Sequence, residues 1–145
     1  MKSIYKYIFA IISIGLMVSS CEPRIKMDEG QWGTHAEITS GVFLYQWIVD
    51  DIVLSEGEVE GAKRVSVTDD SIVDEDNFTV TTTVETGTDL TKVACYIYHN
   101  GNRVEPLNGA PKPGKVDDYS AKEFKYRIHS ADGKYKDWTI EIVVQ

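Results

Sequence analysis

Apolar and polar residues alternate along three stretches of this 145-residue chain. A period of two, with β-branched and aromatic residues at the apolar positions, predicts half-buried β-strands. The inward-facing sets are Phe78, Val80, Thr82 and Val84, then Phe124, Tyr126 and Ile128, then Trp138, Ile140, Ile142 and Val144. The alternation therefore predicts that Trp138 lies in the core, whereas Lys125 and Arg127 point to solvent.

Turn signals separate these strands. Asp132-Gly133 lies between the last two strands and predicts a β-hairpin, and Asn100-Gly101 predicts another turn. The earlier half is less regular: the stretch 38–49 predicts one strand but also fits a short helix. The remaining predictions are short strands at 52–54 and 64–68, an acidic loop from Asp69 to Asp76, and a long loop from Asn108 to Asp118.

Short strands spaced in this way predict an all-β fold, an antiparallel immunoglobulin-like β-sandwich of about seven strands. The sandwich domain is predicted to occupy residues 35–145. The Cys…Trp…Cys spacing of antibody domains is absent, so the immunoglobulin-like prediction concerns architecture alone.

A different pattern opens the chain. Lys2 and Lys6 flank the start of an apolar run, Tyr7 to Val18, which suits the core of a secretory signal and is too short to span a bilayer as a helix. The run ends at Val18-Ser19-Ser20-Cys21, which resembles the lipobox of bacterial lipoproteins. We therefore expect residues 1–20 to be a lipoprotein signal peptide and Cys21 to be lipidated. An ordinary secretory signal with an incidental cysteine is the alternative.

Residues 21–34 are polar, with Pro and Gly, and are predicted to form the lipidated cysteine and a flexible tether. Loss of Lys2 and Lys6 with the signal leaves 13 basic and 23 acidic residues, a formal charge of −10. This charge disfavours binding to nucleic acid or to an anionic membrane surface. For the same reason, it predicts neutral polysaccharide rather than polyanionic glycans as a ligand.

The residues that carry chemistry in enzymes form no motif here. His35, His99 and His129 lack metal-ligand spacing, and the carboxylates of the acidic loop do not match an EF-hand. Once Cys21 carries lipid, Cys95 has no partner for an internal disulfide and is predicted to be a buried core thiol. We therefore expect a non-enzymatic protein with no metal site and no cofactor.

Tyrosines are the better candidates for ligand binding. If Cys95 points inward, alternation places Tyr96 and Tyr98 on the outer face, about 7 Å apart along the strand. Tyr45 and Trp47 have the same spacing on another strand. Exposed rings at this spacing can stack on sugars, with the tyrosine hydroxyls as polar contacts. Cross-strand aromatic packing is the alternative.

Several elements of the C-terminal half, taken in order, resemble the DUF5018-like domains of Bacteroidetes surface lipoproteins. The elements are Thr88-Asp89-Leu90-Thr91, Val104-Glu105-Pro106, Asp117-Asp118-Tyr119-Ser120, the run 124–133 ending in Ala131-Asp132-Gly133, and the run 138–144. Trp138, where the family often has Tyr, and the Pro/Gly-rich insert 108–114 depart from the pattern. The resemblance implies an immunoglobulin-like sandwich at the cell surface, usually with glycan-related or adhesive roles, and implies no catalytic residues.

A second resemblance concerns Asp70-Ser71-Ile72, which is similar to the O-glycosylation motif of Bacteroidetes, so Ser71 is a candidate glycosylation site in the predicted acidic loop. Together, these observations predict an outer-membrane lipoprotein on the cell surface or the periplasmic face. Its predicted function is glycan or host-ligand binding. The alternative is a structural accessory subunit that docks onto a larger outer-membrane complex.

Overall fold

The computed structural model describes residues 33–57 and 59–145. The predicted signal peptide, the lipidated Cys21 and nearly all of the tether lie outside these residues. The described part contains a short 3₁₀ helix, Leu90–Lys92, and ten strands: β1 Ile38–Val49, β2 Ile52–Val53, β3 Lys63–Ser66, β4 Thr68–Asp74, β5 Thr79–Val84, β6 Val93–His99, β7 Arg103–Leu107, β8 Val116–Asp117, β9 Glu123–His129 and β10 Tyr135–Val144.

The strands form two sheets, which confirms the predicted all-β sandwich. In the first sheet β1 pairs with β2, β3 and β6, and β6 pairs with β8, whereas the second sheet has the order β4-β5-β10-β9-β7. One pairing departs from the predicted antiparallel arrangement, because β5 and β10 run parallel from Thr79 opposite Thr139 to Val84 opposite Val144. The immunoglobulin-like strand order stays a prediction.

The core lies between the two sheets and follows most of the predicted alternation. Phe78 is an exception to the predicted inward set, because it precedes β5, has a φ of 51° and leaves 38% of its surface exposed. Trp138 is fully buried, and its indole N–H donates to the carbonyl of Ala36 at 3.0 Å. Lys125 is exposed as predicted, but Arg127 is half-covered by its neighbours rather than free in solvent. The buried members of the core are mainly Val42 and Leu44 of β1, Val93 and Cys95 of β6, Val80 and Val84 of β5, Tyr126 and Ile128 of β9, and Trp138, Ile140 and Ile142 of β10.

The two sheets are joined along one side by the chain that runs from β3 into β4. Val67 lies between these strands: its N–H donates to Leu44 O in the first sheet, and its carbonyl accepts from Glu85 N–H beside the second. Nearer the start of β1, side-chain hydroxyls of β4 accept hydrogen bonds from the β1 backbone. Thr68 Oγ1 accepts from Leu44 N–H, and Ser71 Oγ accepts from Val42 N–H. These N–H groups at the edge of β1 therefore have hydrogen-bond partners although no strand of the first sheet lies beside them.

The structure decides three of the predicted elements. The stretch 38–49 is a strand and not a helix, with a register shift between Ile38 and Gly41 that keeps both Ile38 and Val42 in the core. The predicted acidic loop from Asp69 to Asp76 is wrong, because most of it is strand β4. The predicted hairpin at Asp132-Gly133 is confirmed, with Gly133 at a φ of 85°.

Within the described ranges, no helix has the length and apolar character needed to cross a membrane.

Candidate binding site

The outer side of the first sheet carries a cluster of aromatic rings, which we call the aromatic face. Alternation along β1 and β6 produces it: Val42, Leu44 and Cys95 point into the core, so their neighbours point outward. The face consists of Phe43, Tyr45 and Trp47 of β1 and Tyr96 and Tyr98 of β6. The predicted outward direction of Tyr96 and Tyr98 is confirmed, whereas a role in ligand binding stays a prediction.

The rings of the aromatic face contact one another across the two strands. Phe43 and Tyr98 meet edge to face with ring centroids 5.6 Å apart, and Tyr45 and Tyr96 do the same at 5.3 Å. These distances and near-perpendicular angles are those preferred by aromatic pairs. Cross-strand aromatic packing, the alternative to ligand binding, is therefore present, and the packed rings also form a continuous surface.

Arg64 of β3 adds a positive charge to this surface. It is the register partner of Trp47 and so projects from the same side of the sheet. Its guanidinium carbon lies 4.8 Å from the ring centre of Tyr45 and 5.4 Å from that of Tyr96. A cation within about 6 Å of a ring centre is attracted by the electron-rich face of the ring. Arg64 is thus held against two tyrosines.

A shallow depression of about 250 Å³ opens beside these rings, lined by Ser40, Phe43, Tyr45 and Tyr98. Tyr98 is the most exposed ring of the face, with 46% of its surface accessible. Partial burial and the neighbouring Tyr98 hydroxyl raise the pKa of Tyr45 above its ordinary value. Tyr45 is therefore a neutral hydroxyl at physiological pH, able to donate and accept hydrogen bonds at the rim of the depression.

Trp47 does not fulfil its predicted role as a stacking residue. It lies on the aromatic face, but only 3% of its surface is exposed. The Tyr96 ring lies 6.5 Å away, and Leu54 N–H donates to the Trp47 carbonyl as the chain turns back beside β1. Trp47 therefore packs beside Tyr96 on the outer side of the sheet and has almost no ring surface to offer a ligand.

Ser71, the predicted glycosylation site, lies in strand β4 instead of a loop. Its Oγ accepts the Val42 N–H at 2.9 Å and lies 3.4 Å from Thr82 Oγ1. The space around it is tight, because a Cβ built on Gly41 would lie 2.4 Å from this oxygen. These contacts of Ser71 with β1 and β5 lie where the two sheets meet, and we call them the seam. A glycan on Ser71 would have to displace them, so the structure argues against this modification.

Two of the other chemically reactive residues, Cys95 and His129, have contacts that explain them structurally. Burial raises the pKa of the Cys95 thiol to about 12, which confirms the core thiol. His129 Nε2 lies 2.6 Å from Glu105 Oε2 across two strands of the second sheet. Among the described residues, no three His, Cys, Asp or Glu side chains converge in a way that could hold a metal ion, and this applies to the acidic stretch 69–76 as well.

Two members of the site escaped sequence analysis. Phe43 belongs to the same outward set as Tyr45, and alternation along β1 could have found it. Arg64 could not be found in that way, because its place over the tyrosines depends on the pairing of β3 with β1, which the sequence pattern does not specify.

The comparisons with known proteins concern the family and the fold. No curated protein matches the chain. The crystal structure of a candidate secreted protein from Bacteroides fragilis is similar, with a TM-score of 0.62 and 23% sequence identity, covering 79% of this chain and 98% of that one. The family model for DUF5018-related proteins matches residues 38–141, from the start of β1 to within the last strand. The chain belongs to the DUF5018-related family.

Proposed function

We propose that this protein is a lipid-anchored, non-catalytic module of the bacterial cell envelope that binds carbohydrate on its aromatic face. The observation that carries the proposal is the open depression beside Tyr98, whose walls combine ring surfaces with the hydroxyls of Ser40 and Tyr45. Aromatic rings stack on the C–H faces of sugars, and hydroxyl groups orient them by hydrogen bonding. At about 250 Å³ the depression is smaller than a drug-sized pocket, which is roughly 300–1,000 Å³, and suits one sugar ring.

The cellular location is part of the proposal. The lipobox-like sequence before Cys21 and the candidate secreted protein with the same fold both support an outer-membrane lipoprotein, on the surface or the periplasmic side. A Cys21→Ala variant should lose its acyl chains and leave the membrane fraction, since stable anchoring depends on acyl chains. Membrane-bound, fatty-acid-labelled Cys21→Ala protein would contradict the anchor.

A tyrosine pair on opposite sheets tests carbohydrate binding. Tyr98→Ala removes the most exposed ring of the aromatic face, and Tyr135→Ala removes a ring of similar exposure, 54%, from the second sheet. We expect Tyr98→Ala, alone and with Tyr96→Ala, to lower retention on a glycan array at least tenfold. Tyr135→Ala should bind as the parent does, and the thermal midpoint of Tyr98→Ala should stay within a few degrees.

Two results would oppose the proposal. Equal loss of binding in the Tyr98 and Tyr135 variants would place the ligand elsewhere or indicate general unfolding. A parent protein that binds no array glycan, tested folded and at high density, would exclude carbohydrate binding and leave the docking function described next.

One observation favours that second function, docking onto a larger outer-membrane complex. The connection between β1 and β3 exposes two apolar side chains, Ile52 at 65% and Val59 at 49%. Exposed apolar surface of this kind is typical of protein contacts. Ile52→Glu should then prevent cross-linking to a membrane complex in native cells and leave sugar binding unchanged.

A further inference from the structure

We infer that Arg64 makes the aromatic face selective for acidic sugars, its guanidinium binding the carboxylate of a uronic acid in a chain that stacks on Tyr98. The inference rests on the proposed carbohydrate function and replaces the preference for neutral glycans that net charge predicts. It depends on three features of Arg64: its lack of an acidic partner, its support by two rings, and its distance from the acidic groups of the second sheet.

The first feature is the absence of an ion pair. Of the three arginines that the structure describes, Arg103 lies 3.7 Å from Glu105, and Arg127 binds Asp137 through two nitrogens at 2.7 and 2.9 Å. Arg64 makes no ion pair with any described carboxylate, although acidic residues outnumber basic ones by 23 to 15. Its charge is therefore available to a ligand.

The second feature is preorganisation. Arg64 is held within 4.8 and 5.4 Å of the ring centres of Tyr45 and Tyr96. Attraction to ring faces does not require the N–H donors of a guanidinium, which can bind a carboxylate through two parallel hydrogen bonds. A side chain whose motion is restricted by these contacts loses less conformational entropy when it binds. Its positive charge and paired donors favour a flat anionic group over a neutral hydroxymethyl group.

The third feature concerns distance and screening. At physiological ionic strength, exposed charges farther apart than about 8 Å are largely screened from each other. Stacked sheets lie about 10 Å apart, so the carboxylates on the outer side of the second sheet contribute little to the field at the aromatic face. A ligand on Tyr45 experiences Arg64 at close range. The first sheet also carries acidic residues, in the connection between β1 and β3, at Asp50, Asp51, Glu56 and Glu60. None of these described groups makes an ion pair with Arg64, so the guanidinium against the rings, and not the total charge of the chain, should decide which glycans bind.

Tyr45 separates Arg64 from the depression, because it lines the depression and also carries the guanidinium against its ring. A sugar stacked on Tyr98 would therefore place its own carboxylate, or that of the next sugar in the chain, toward Arg64. This arrangement favours a polymer with repeated uronic acids over a single anionic group. An acidic peptide would satisfy Arg64 but would not use the ring-sized depression.

Matched polymers provide the test. Polygalacturonate, alginate and hyaluronate would each be paired with its carboxyl-reduced neutral form, and poly-glutamate would represent an acidic peptide. We expect the parent to bind at least one acidic polymer at least tenfold more tightly than its reduced form and more tightly than poly-glutamate. Arg64→Gln should lose most of this preference. Arg103→Gln, which removes the same charge from the second sheet, should keep it.

The outcomes separate the inference from the function on which it rests. Equal or tighter binding of the reduced polymers, still dependent on Tyr98, would overturn the acidic preference and leave carbohydrate binding intact. Equal competition by poly-glutamate would replace the sugar with an acidic peptide. Unchanged selectivity in a folded Arg64→Gln protein would exclude Arg64. Binding of neither form of any polymer would reject the inference together with the proposed function.

Discussion

The outer sides of the two sheets differ although both cover the same core. On the first sheet, outward residues are rings that pack against each other, with one arginine over two of them. On the second sheet they are polar groups that pair with one another, such as Arg127 with Asp137 and His129 with Glu105, together with the threonines of β5. Alternation along a strand predicts which side chains point away from the core. Contacts across the strands then decide whether those side chains are available to a ligand.

Exposure alone does not distinguish the two sides. Each carries a largely exposed tyrosine, Tyr98 at 46% and Tyr135 at 54%. Tyr135 stacks with the guanidinium of Arg127, 3.8 Å from its ring centre, and that guanidinium is already bound by Asp137. Tyr98 borders a depression, and Arg64, on the other side of Tyr45, makes no ion pair with any carboxylate that the structure describes. The environment of the ring, and not its accessible area, marks the candidate site.

The largest predicted effect compares two buried tryptophans. Trp138 is fully buried in the core between the two sheets, whereas Trp47 is buried on the outer side of the first sheet, next to Tyr96. Trp138→Ala should lower the free energy of unfolding by about 3–5 kcal/mol, the usual range for a core position. Trp47→Ala should cost at least about 1 kcal/mol less, since surface neighbours can collapse into the gap. Denaturant unfolding of both variants would measure the difference, and a larger loss for Trp47 would reverse the assignment of the core.

The next largest effect is expected at the seam, where β1 of the first sheet contacts Ser71 of the second. Gly41 has a φ of 102°, which L side chains rarely adopt, and a Cβ there would lie 2.4 Å from Ser71 Oγ. Backbone strain and overpacking each cost about 1–3 kcal/mol, so Gly41→Ala should destabilise the protein by about 2 kcal/mol or more. Gly109→Ala is the control, because its φ of 79° carries strain but its Cβ would meet nothing within 4 Å. Equal losses would show that packing at the seam contributes nothing.

A smaller effect is expected when the coupling energy of Arg127 with its carboxylate is compared with that of Arg64 with its tyrosine ring. A double-mutant cycle of Arg127→Gln with Asp137→Asn should give the small coupling typical of exposed ion pairs, and this coupling should weaken as salt screens the charges. A cycle of Arg64→Gln with Tyr45→Leu should give about 0.5–1 kcal/mol, as for exposed cation–π pairs, with weaker salt dependence because the ring carries no net charge. Equal salt dependence in the two cycles would remove this chemical contrast.

The smallest effect is confined to acidic pH. Glu37 lies between the sheets at one end, 2.5 Å from Lys136 Nζ and 2.8 Å from Asn100 Nδ2. Partial burial would raise its pKa, but hydrogen bonds from Lys136, Asn100 and the Ala36 N–H lower the pKa from 4.5 to about 2. Because the folded-state pKa is lowered, the stabilisation is complete above about pH 4.5 and is lost as the pH falls toward 2.

The loss of stability between pH 4.5 and 2 should therefore be shallower in Glu37→Gln than in the parent, as followed by the thermal midpoint. Glu141→Gln, a change of an exposed glutamate on the second sheet, serves as the control. Parallel curves for Glu37→Gln and the parent would show that this carboxylate contributes nothing to acid sensitivity.

The sequence predicted elements whose two sides differ clearly. Residues of β9 and β10 alternate between core and solvent, and the two strands are joined at Asp132-Gly133. The strands, the turn between them and the burial of Trp138 could therefore all be predicted from the sequence. β4 was missed because its outward positions are acidic and its inward Ser71 is polar. That serine is needed at the seam for its hydroxyl, a requirement that only the position of Val42 reveals.

The candidate site was predicted in part for the same reason. Tyr96 and Tyr98 follow from the inward direction of Cys95, a local argument. The burial of Trp47, the place of Arg64 and the parallel pairing of β5 with β10 depend on which strands become neighbours. Pairing between distant strands is decided by the fold as a whole, and alternation within one strand carries no information about it.

β1 has a mechanical consequence. The strand bears Phe43 and Tyr45, and its N-terminal end leads directly back to Gly33, the first described residue. A tension between a ligand on the aromatic face and an anchor before Gly33 would pass along this one strand without crossing the core. The part of the load that enters through Tyr98 of β6 would reach β1 through the hydrogen bonds between these two strands, which it would load in shear, so that several must break together. The strand that holds the ligand would then resist extraction while the remainder of the sandwich carries little of the load.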